Sequence, residues 1–468
     1  VFVKSLPYTD PIEYVRLFMH EPWCIFLDSA DHHTPVETTN RYSYLGFWPF
    51  EYVSFKDQAI VSSDNKVLSE DEPFRYLQRL FAPYKLDNIA ELPPFQGGLM
   101  GFLSYDLCYQ TEPTLPSPSS TLRYPYYCLG FYDSIMAFDH HDKKAYFLAT
   151  GIPNQSDAKR KLHAQQKWRQ FSARIKHRKQ SKQAQDKAPP RCALSANFSQ
   201  SAYCAAVNTV KQAIKDGELF EANISQCFSG TLGDDYDLCS LYQNLRASNP
   251  APFSAYFKTD EVALLSSSPE RFIRADGAQV QTRPIKGTVK RSAIPGVDQT
   301  LKQQLVASAK DRAENIMIVD LMRNDLSKVC TPHSVQVTKL CGVETFPSVH
   351  HLVSVVEGTL APEYDVFDLL RATFPGGSIT GAPKIAAMQY ISAIEPIPRG
   401  PYCGSMIALG FNGYFDSSIL IRTLCVNGQA LSLHCGGAVV LDSDPLAEYH
   451  ETLTKAGALY AVVTGEAL

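Results

Sequence analysis

The sequence has no C-x-x-C pair, no G-x-G-x-x-G turn between a strand and a helix, and no phosphate-binding P-loop among its 468 residues. The first absence removes zinc-ribbon chemistry, and 12 cysteines scattered singly do not read as a disulfide framework in a chain of this length. The other two remove the usual dinucleotide and nucleoside-triphosphate sites. Long apolar runs are also missing. A stretch such as Ile316 to Val319 falls far short of the ~20 residues a membrane span needs. Charge of one sign is scarce as well: the net charge of -4 gives no global pull toward nucleic acid or an anionic membrane. The amino-terminal run Val1-Phe2-Val3-Lys4 reaches Pro7 and Asp10 before the apolar centre of a signal peptide could form. A cytoplasmic protein is expected.

What is present is a globular composition, 45% hydrophobic and 20% charged, with length for two to three folding units. Residues 1–157 are rich in aromatic and β-branched residues punctuated by Gly and Pro, as in Trp23 to Leu27, Phe95 to Phe102 and Cys128 to Tyr132. That pattern predicts a mainly β region. Residues 158–196 shift to Lys, Arg and Gln and read as a basic helix (Ala158 to Ile175, with Leu162, Trp168 and Phe171 as apolar contacts) followed by a solvated linker. Few aromatics interleave with the basic residues, which favours a linker over a nucleic-acid patch. Residues 197–468 form a second region. It opens with a helix capped by Ser199, carrying Tyr203, Val207, Val210 and Ile214 on one face and stopping at Gly217. Strands and helices then alternate irregularly, with a hairpin turning at Asp276-Gly277. The fold class expected is α+β, large antiparallel sheets with helices packed outside.

Polar residues gather in this second region where a core would not want them. Glu270 follows Ser266-Ser267-Ser268-Pro269, and Lys286 sits in Pro284-Ile285-Lys286-Gly287-Thr288 at the end of the next hairpin strand. The two would approach one another across adjacent strands, either as a structural ion pair or as acid and nucleophile. Asp311 and Glu314 share one helix face, and Glu448, Glu451 and Lys455 share another. Two such carboxylate pairs suit an oxygen-ligated Mg²⁺, although helix-surface acids are commonly just solvated. The Gly-rich segments Phe374 to Lys384 and His434 to Ala438 offer backbone N–H groups to an anion or form tight turns. His351 lies on an otherwise apolar strand.

Taken in order, these segments resemble the chorismate-utilising enzymes: the large components of anthranilate and aminodeoxychorismate synthases, and the isochorismate and salicylate synthases. The likeness is close over roughly residues 198–465, and Phe26 to Ala30 and Leu92 to Asp106 extend it amino-terminally. It implies the anthranilate-synthase component I-like fold. It also implies Mg²⁺ on Asp311, Glu314, Glu448 and Glu451, with Glu314 and Glu451 as direct ligands holding the ring carboxylate of chorismate. Arg422 and Tyr402, with backbone N–H groups around Gly436 and Gly437, would grip the enolpyruvyl carboxylate, and Lys455 would lie near the ring carboxylate. Thr288, His351 and Ser378 would line the ring, and Glu270 would be the general acid at the C4 hydroxyl.

Family members that place a nucleophile permanently on C2 resemble one another in having Ala in the middle of the Pro-Ile-x-Gly-Thr segment; aminodeoxychorismate synthases have Lys there, and here it is Lys286. The resemblance therefore implies covalent catalysis by Lys286, kept partly neutral by Arg283 and the metal, with ammonia then attacking C4. The product would be 4-amino-4-deoxychorismate, on the way to 4-aminobenzoate and folate. An anthranilate synthase component I-like enzyme is the runner-up, and a non-catalytic chorismate or tryptophan binder the third reading. One departure stands out: Glu221 occupies a position where ammonia-using members have Gln and water-using members Lys. No Cys nucleophile with a downstream His-x-Glu is present, so a separate glutamine amidotransferase subunit is expected to supply the ammonia. Ser29, Arg41 and Tyr42 resemble the family's tryptophan pocket.

Overall fold

The structure, a computed structural model, describes residues 1–31, 39–56, 59–63, 67–68, 72–116, 124–180, 191–346 and 349–468. Two 12-stranded antiparallel sheets dominate it. The first runs Phe2–Leu6, Lys144–Ala149, Ser134–Asp139, Tyr42–Gly46, Cys24–Asp28, Phe253–Lys258, Val262–Ser268, Thr423–Asn427, Ala430–Val439, Glu221–Thr231, Ser195–Ala196, with Gly381–Ala382 added against the start of Glu221–Thr231. The second runs Ile285–Lys290, Val349–Thr359, Gln279–Thr282, Arg271–Asp276, Phe415–Ile419, Ser405–Gly410, Gly98–Leu103, Tyr127–Tyr132, Glu51–Lys56, Ala59–Ser62, Val67–Leu68; Gln336–Thr345 joins it on Val349–Thr359.

Antiparallel sheets usually leave one face to water, and their strands then alternate apolar with polar. Here most strands are apolar on both faces, because both faces are covered. In Cys24–Asp28, Ile25 enters a core shared with Met100, Phe102 and Met406 of the second sheet. Its neighbours Cys24 and Phe26 point the other way, into a core closed by the helices Asp157–Gln180, Leu238–Ser248 and Pro445–Thr464. On the far side of the second sheet, Leu99, Leu129 and Ile273 pack under Pro73–Phe81, Ala309–Ser327, Val366–Thr373 and Lys384–Ile394. Ala222 and Ile224 of the first sheet join that same core, which brings the start of strand Glu221–Thr231 beside the second sheet's helices. The expected α+β class with outer helices is what the chain forms.

Both sheets draw strands from both ends of the chain: Cys24–Asp28 pairs with Phe253–Lys258, and Gly98–Leu103 with Ser405–Gly410. The basic helix is longer than the composition predicts. It spans Asp157–Gln180, seated by fully buried Phe171, by a 2.9 Å hydrogen bond between His163 and buried Asp133, and by an ion pair from Lys167 to the same carboxylate at 3.3 Å. Leu162 takes no part in that seat and is half exposed. Residues 181–190 of the expected linker lie outside the described residues. Among the described residues, no helix is long and apolar enough to cross a membrane.

Candidate active site

The hairpin expected around Asp276-Gly277 forms, with Asp276 paired to Gln279. Lys286, however, is not on the strand next to Glu270. Strand Ile285–Lys290 lies at the sheet edge, separated from Arg271–Asp276 by Val349–Thr359 and Gln279–Thr282. The pairing of Ile285–Lys290 with Val349–Thr359 slips between Ile285 and Thr288. A bulge of this kind re-aims side chains. Gly287 takes φ +78° there, and a Cβ on it would lie 3.0 Å from Asp311. Its glycine therefore serves the close approach of helix Ala309–Ser327.

The bulge turns Lys286 inward, where it is 9% exposed and donates a 2.7 Å hydrogen bond to Oε1 of fully buried Glu221. The ion pair is thus with Glu221 rather than with Glu270. Burial by itself would lower the lysine's pKa; the carboxylates of Glu221, Glu314 and Glu270 outweigh it and raise it, so the resting side chain is an ammonium. Arg283, expected to assist, is tied to Glu344 instead.

Glu270 is 5% exposed, and Ser378 donates a hydrogen bond to its Oε1 at 2.8 Å. Desolvation lifts its pKa to about 7, opposed by Ser378, by the charge on Lys286 and by the Ile285 amide. A carboxyl poised near neutrality, within the field of a lysine ammonium, is suited to give up a proton. Two residues with buried side chains hold this geometry that sequence reasoning had passed over. Arg399 forks onto Glu395 at 2.9 and 2.8 Å and also donates to the carbonyls of Ile379 and Asn223. It thereby ties the turn carrying Ser378 to the strand carrying Glu221. Glu395 in turn accepts from the Ser225 amide and hydroxyl. The i, i+4 spacing of Glu395 and Arg399 was the available signal.

His351 shares a 2.8 Å hydrogen bond between its Nδ1 and the Thr288 hydroxyl. Burial and the charge of Arg422 lower its pKa to about 4, so it is neutral near pH 7. Arg422 itself adopts φ +52°, a left-handed conformation uncommon outside glycine, and such strain is often retained at functional sites. Tyr402 stacks on His434 at 5.3 Å between ring centres. Gly436 and Gly437 lie in strand Ala430–Val439, whose pairing with Thr423–Asn427 ends at Leu433. From there alternate N–H groups face an edge that this neighbour leaves open.

The expected metal carboxylates come from two helices, as proposed from spacing. Glu448 is buried and accepts from Ser443 at 2.7 Å. Glu451 pairs with Lys455 at 2.6 Å, and Lys455 also donates to the Gly436 carbonyl at 3.0 Å. Desolvation raises the pKa of Glu314 to about 7, and its buried Oε1 accepts no hydrogen bond from a described residue. The Lys310 ammonium stands 3.8 Å from Oε1 of Glu314 and equally 3.8 Å from Oε1 of Glu448, a cation between the two helices. A Cβ on Gly437 would come within 3.1 Å of Glu448 and 3.3 Å of Glu451. Glu314, with a buried oxygen that no described residue satisfies, and Glu448, sharing a cation with it, are oxygen donors of the kind a hard divalent ion takes. The four acids are not drawn into one tight group. Among the described residues, the sets of three whose ligand atoms all lie within 4.8 Å are His20, Asp237, Cys239 and Asp139, His141, Asp142.

A cavity lies between the sheets, and Lys286 is not in its lining. It holds about 530 Å³ open to solvent and is lined by Ser29 and Tyr42 together with Tyr44, Phe253, Met406 and Tyr414. Ser29 donates to the Tyr42 carbonyl at 2.7 Å. Arg41, the third residue expected there, is not in the lining; it pairs with Asp139 at 2.7 Å and covers the Tyr42 ring. Two acids of the lining, Asp28 and Asp416, are already held by Arg246 and Arg271.

The chain is similar to known proteins in both sequence and fold. A family model described as chorismate binding enzyme matches residues 24–461. The chain is 40% identical to aminodeoxychorismate synthase component 1 of Klebsiella aerogenes over 96% of both chains. It is 34% identical to anthranilate synthase component 1 of Bacillus subtilis (strain 168), covering 93% of this chain and 86% of that one. In structure it is similar to anthranilate synthase component I from Streptococcus pneumoniae TIGR4, with a TM-score of 0.78 and 29% identity over 90% of this chain and 92% of the other.

Proposed function

The chain belongs to the chorismate-binding enzyme family, and from that premise we propose the reaction its site performs. Its activity is that of an aminodeoxychorismate synthase component 1, converting chorismate and ammonia to 4-amino-4-deoxychorismate and water. Supporting this above all is one observation: a buried lysine, Lys286, hydrogen-bonded to Glu221 and coupled electrostatically to a near-neutral acid, Glu270.

The reaction begins with the lysine's proton passing to Oε1 of Glu221 across the 2.7 Å hydrogen bond. The freed Nζ lone pair forms a bond to C2 of chorismate. The ring double bonds shift, and the C4 hydroxyl leaves as water with the proton of Glu270. Ammonia then attacks C4, the double bonds return, and the bond from C2 to Nζ breaks. The new C4 ammonium gives its extra proton to the Glu270 carboxylate, and Glu221 returns the first proton to Lys286. Dividing one displacement into two assisted steps is nucleophilic catalysis. Neutral His351, held by Thr288, and Ser378 line the ring without adding charge. Arg422, Tyr402 and the open-edge N–H groups near Gly436 and Gly437 receive the enolpyruvyl carboxylate.

Glu314 and Glu451, with Asp311 and Glu448 beside them, would hold Mg²⁺, which supplies positive charge for the ring carboxylate; Lys455 adds to that charge. The ammonia comes from a glutamine amidotransferase subunit, in keeping with relatives named as one component of a synthase. The cavity at Ser29 and Tyr42 takes tryptophan: its walls are mostly aromatic or apolar, with a few polar groups at the rim.

The test is mass spectrometry of the wild-type chain and Lys286→Ala, each incubated with chorismate and Mg²⁺, followed by product analysis with ammonium. An adduct on wild type that the variant lacks, and 4-amino-4-deoxychorismate as product, are expected. Fluorescent anthranilate as the main product, or an unimpaired variant, would overturn the proposal.

A further inference from the structure

Outside the residues of the reaction, the start of helix Leu238–Ser248 meets the turn that leads into strand Cys24–Asp28. There one ligand atom each of His20, Asp237 and Cys239 lies within 4.8 Å of the others. A further sulfur adjoins them: the thiol of buried Cys239 points at Sδ of buried Met19, 3.1 Å away and 220 positions distant in sequence. Each donor is held from behind, as metal ligands are. One Asp237 oxygen accepts from the Cys239 amide at 3.0 Å and the other from the Ser240 hydroxyl at 2.6 Å, which leaves each a further lone pair. The Cys239 sulfur accepts an N–H from Gln243 at 3.3 Å. Arg16 donates to the carbonyl oxygen of that same amide, so its NH₂ faces the sulfur. The carbonyls of Met19 and His20 accept from Tyr256 Oη at 2.8 Å and Lys258 Nζ at 3.3 Å, pinning the turn to strand Phe253–Lys258. Capping of the helix accounts for Asp237 but not for the histidine or the paired sulfurs.

We propose that His20, Asp237 and Cys239 bind a borderline-soft divalent transition ion of the zinc class, with the Met19 sulfur beside it. Thiolate and imidazole select such an ion, whereas Mg²⁺ takes oxygen ligands and keeps much of its water. The site thus differs in chemistry from the carboxylate pairs around Glu314 and Glu451, and a metal here is independent of the reaction proposed above. As the bond from sulfur to the ion forms, the thiol's proton passes to water. The thiolate and the Asp237 carboxylate then balance the two charges of the ion. Three protein ligands leave one tetrahedral position, which water fills. The exposed His20 side chain gives the ion its way in. Bound there, the ion bridges the turn before strand Cys24–Asp28 and the start of helix Leu238–Ser248. That helix also sends Tyr242 and Arg246 onto Asp28 of the same strand, so the ion reinforces a junction the fold already uses.

The experiment titrates the full chain, reduced and stripped of metal, with Co²⁺ in the presence of excess Mg²⁺. Co²⁺ accepts the ligands of zinc and reports a bond to thiolate as a charge-transfer band in the near ultraviolet. A band that saturates at a single equivalent and is displaced by Zn²⁺ is expected. It should persist in Glu314→Gln, which removes a carboxylate of the other site, and vanish in Cys239→Ser. His20→Ala changes an exposed side chain and leaves the core intact, yet should weaken Co²⁺ binding at least about tenfold, while turnover of chorismate in Mg²⁺ continues as in wild type. No band in wild type overturns the proposal, and so does a band that survives Cys239→Ser, since it belongs to another thiol. Wild-type affinity in His20→Ala also overturns it, leaving only a lone reactive thiol; this variant decides the matter even where Cys239→Ser fails to fold.

Discussion

Glu270→Gln should stabilise the protein, and by an amount that grows with pH. In the fold the carboxyl titrates at about 7 against 4.5 for an unperturbed glutamate, because it is buried. Between those two values it is protonated in the folded chain and ionised in the unfolded one, so folding takes up a proton. The stability contributed by this group is fully present below about pH 4.5 and is lost as pH rises through about 7. At about 1.4 kcal/mol per pH unit, the raised pKa of Glu270 costs the fold about 3 kcal/mol at pH 8 and only about 1 kcal/mol at pH 5.5. The amide cannot ionise, and its oxygen still accepts from Ser378, whose hydroxyl now donates to Oε1 at 2.8 Å. Urea unfolding of metal-free wild type and variant at both pH values isolates the effect, since packing differences cancel between them. The stability gap should widen by about 2 kcal/mol from pH 5.5 to pH 8. The same variant should lose roughly 10²–10⁴-fold in kcat, as it can no longer protonate the leaving hydroxyl. A gap that does not change with pH would falsify the claim that the fold holds this carboxyl against ionisation.

Glu314→Gln should raise the stability of the metal-free chain at pH 8, because its carboxyl is likewise pushed to about 7 by desolvation, and should raise the Mg²⁺ concentration for half-maximal activity. Equal Mg²⁺ dependence in variant and wild type would sink the metal assignment. Gly437→Ala should weaken Mg²⁺ activation with little change in unfolding, since its Cβ would press on Glu448 and Glu451. For the cavity between the sheets, calorimetry should show tryptophan binding that is lost in Ala255→Leu, which narrows the lining, while turnover continues; equal heats from the two proteins count against occupancy. Phe171→Ala should cost about 3–5 kcal/mol, read by urea unfolding, because its buried ring seats the basic helix.

Much of the fold was legible locally. Ser199 caps the helix Gln200–Lys215, its hydroxyl accepting from the Ala202 amide, and Tyr203, Val207 and Val210 are buried, as their spacing required. Asp276-Gly277 turns a hairpin for the conformational reason that turn residues supply. The reach of the basic helix was not legible, because Leu162 and Phe171 look alike in sequence and only the sheet beneath decides which of them is buried. Nor did the run of apolar strands say that two sheets face each other: a strand apolar on both sides is compatible with any arrangement that covers both.

For the site, the residues were determined by the sequence and their partnerships were not. Lys286, Glu270, the two helical carboxylate pairs and their chemical types stand in the chain, and together they bound the reaction class. Which carboxylate the lysine meets depended on a bulge at Gly287 and on two sheets bringing residue 221 to residue 286 across 65 positions of sequence. Ionisation followed from that meeting, since burial alone would have made the lysine more neutral and the neighbouring acids made it an ammonium. Charge state is a property of the assembled surroundings, set by desolvation and by distances that exist only in the folded chain.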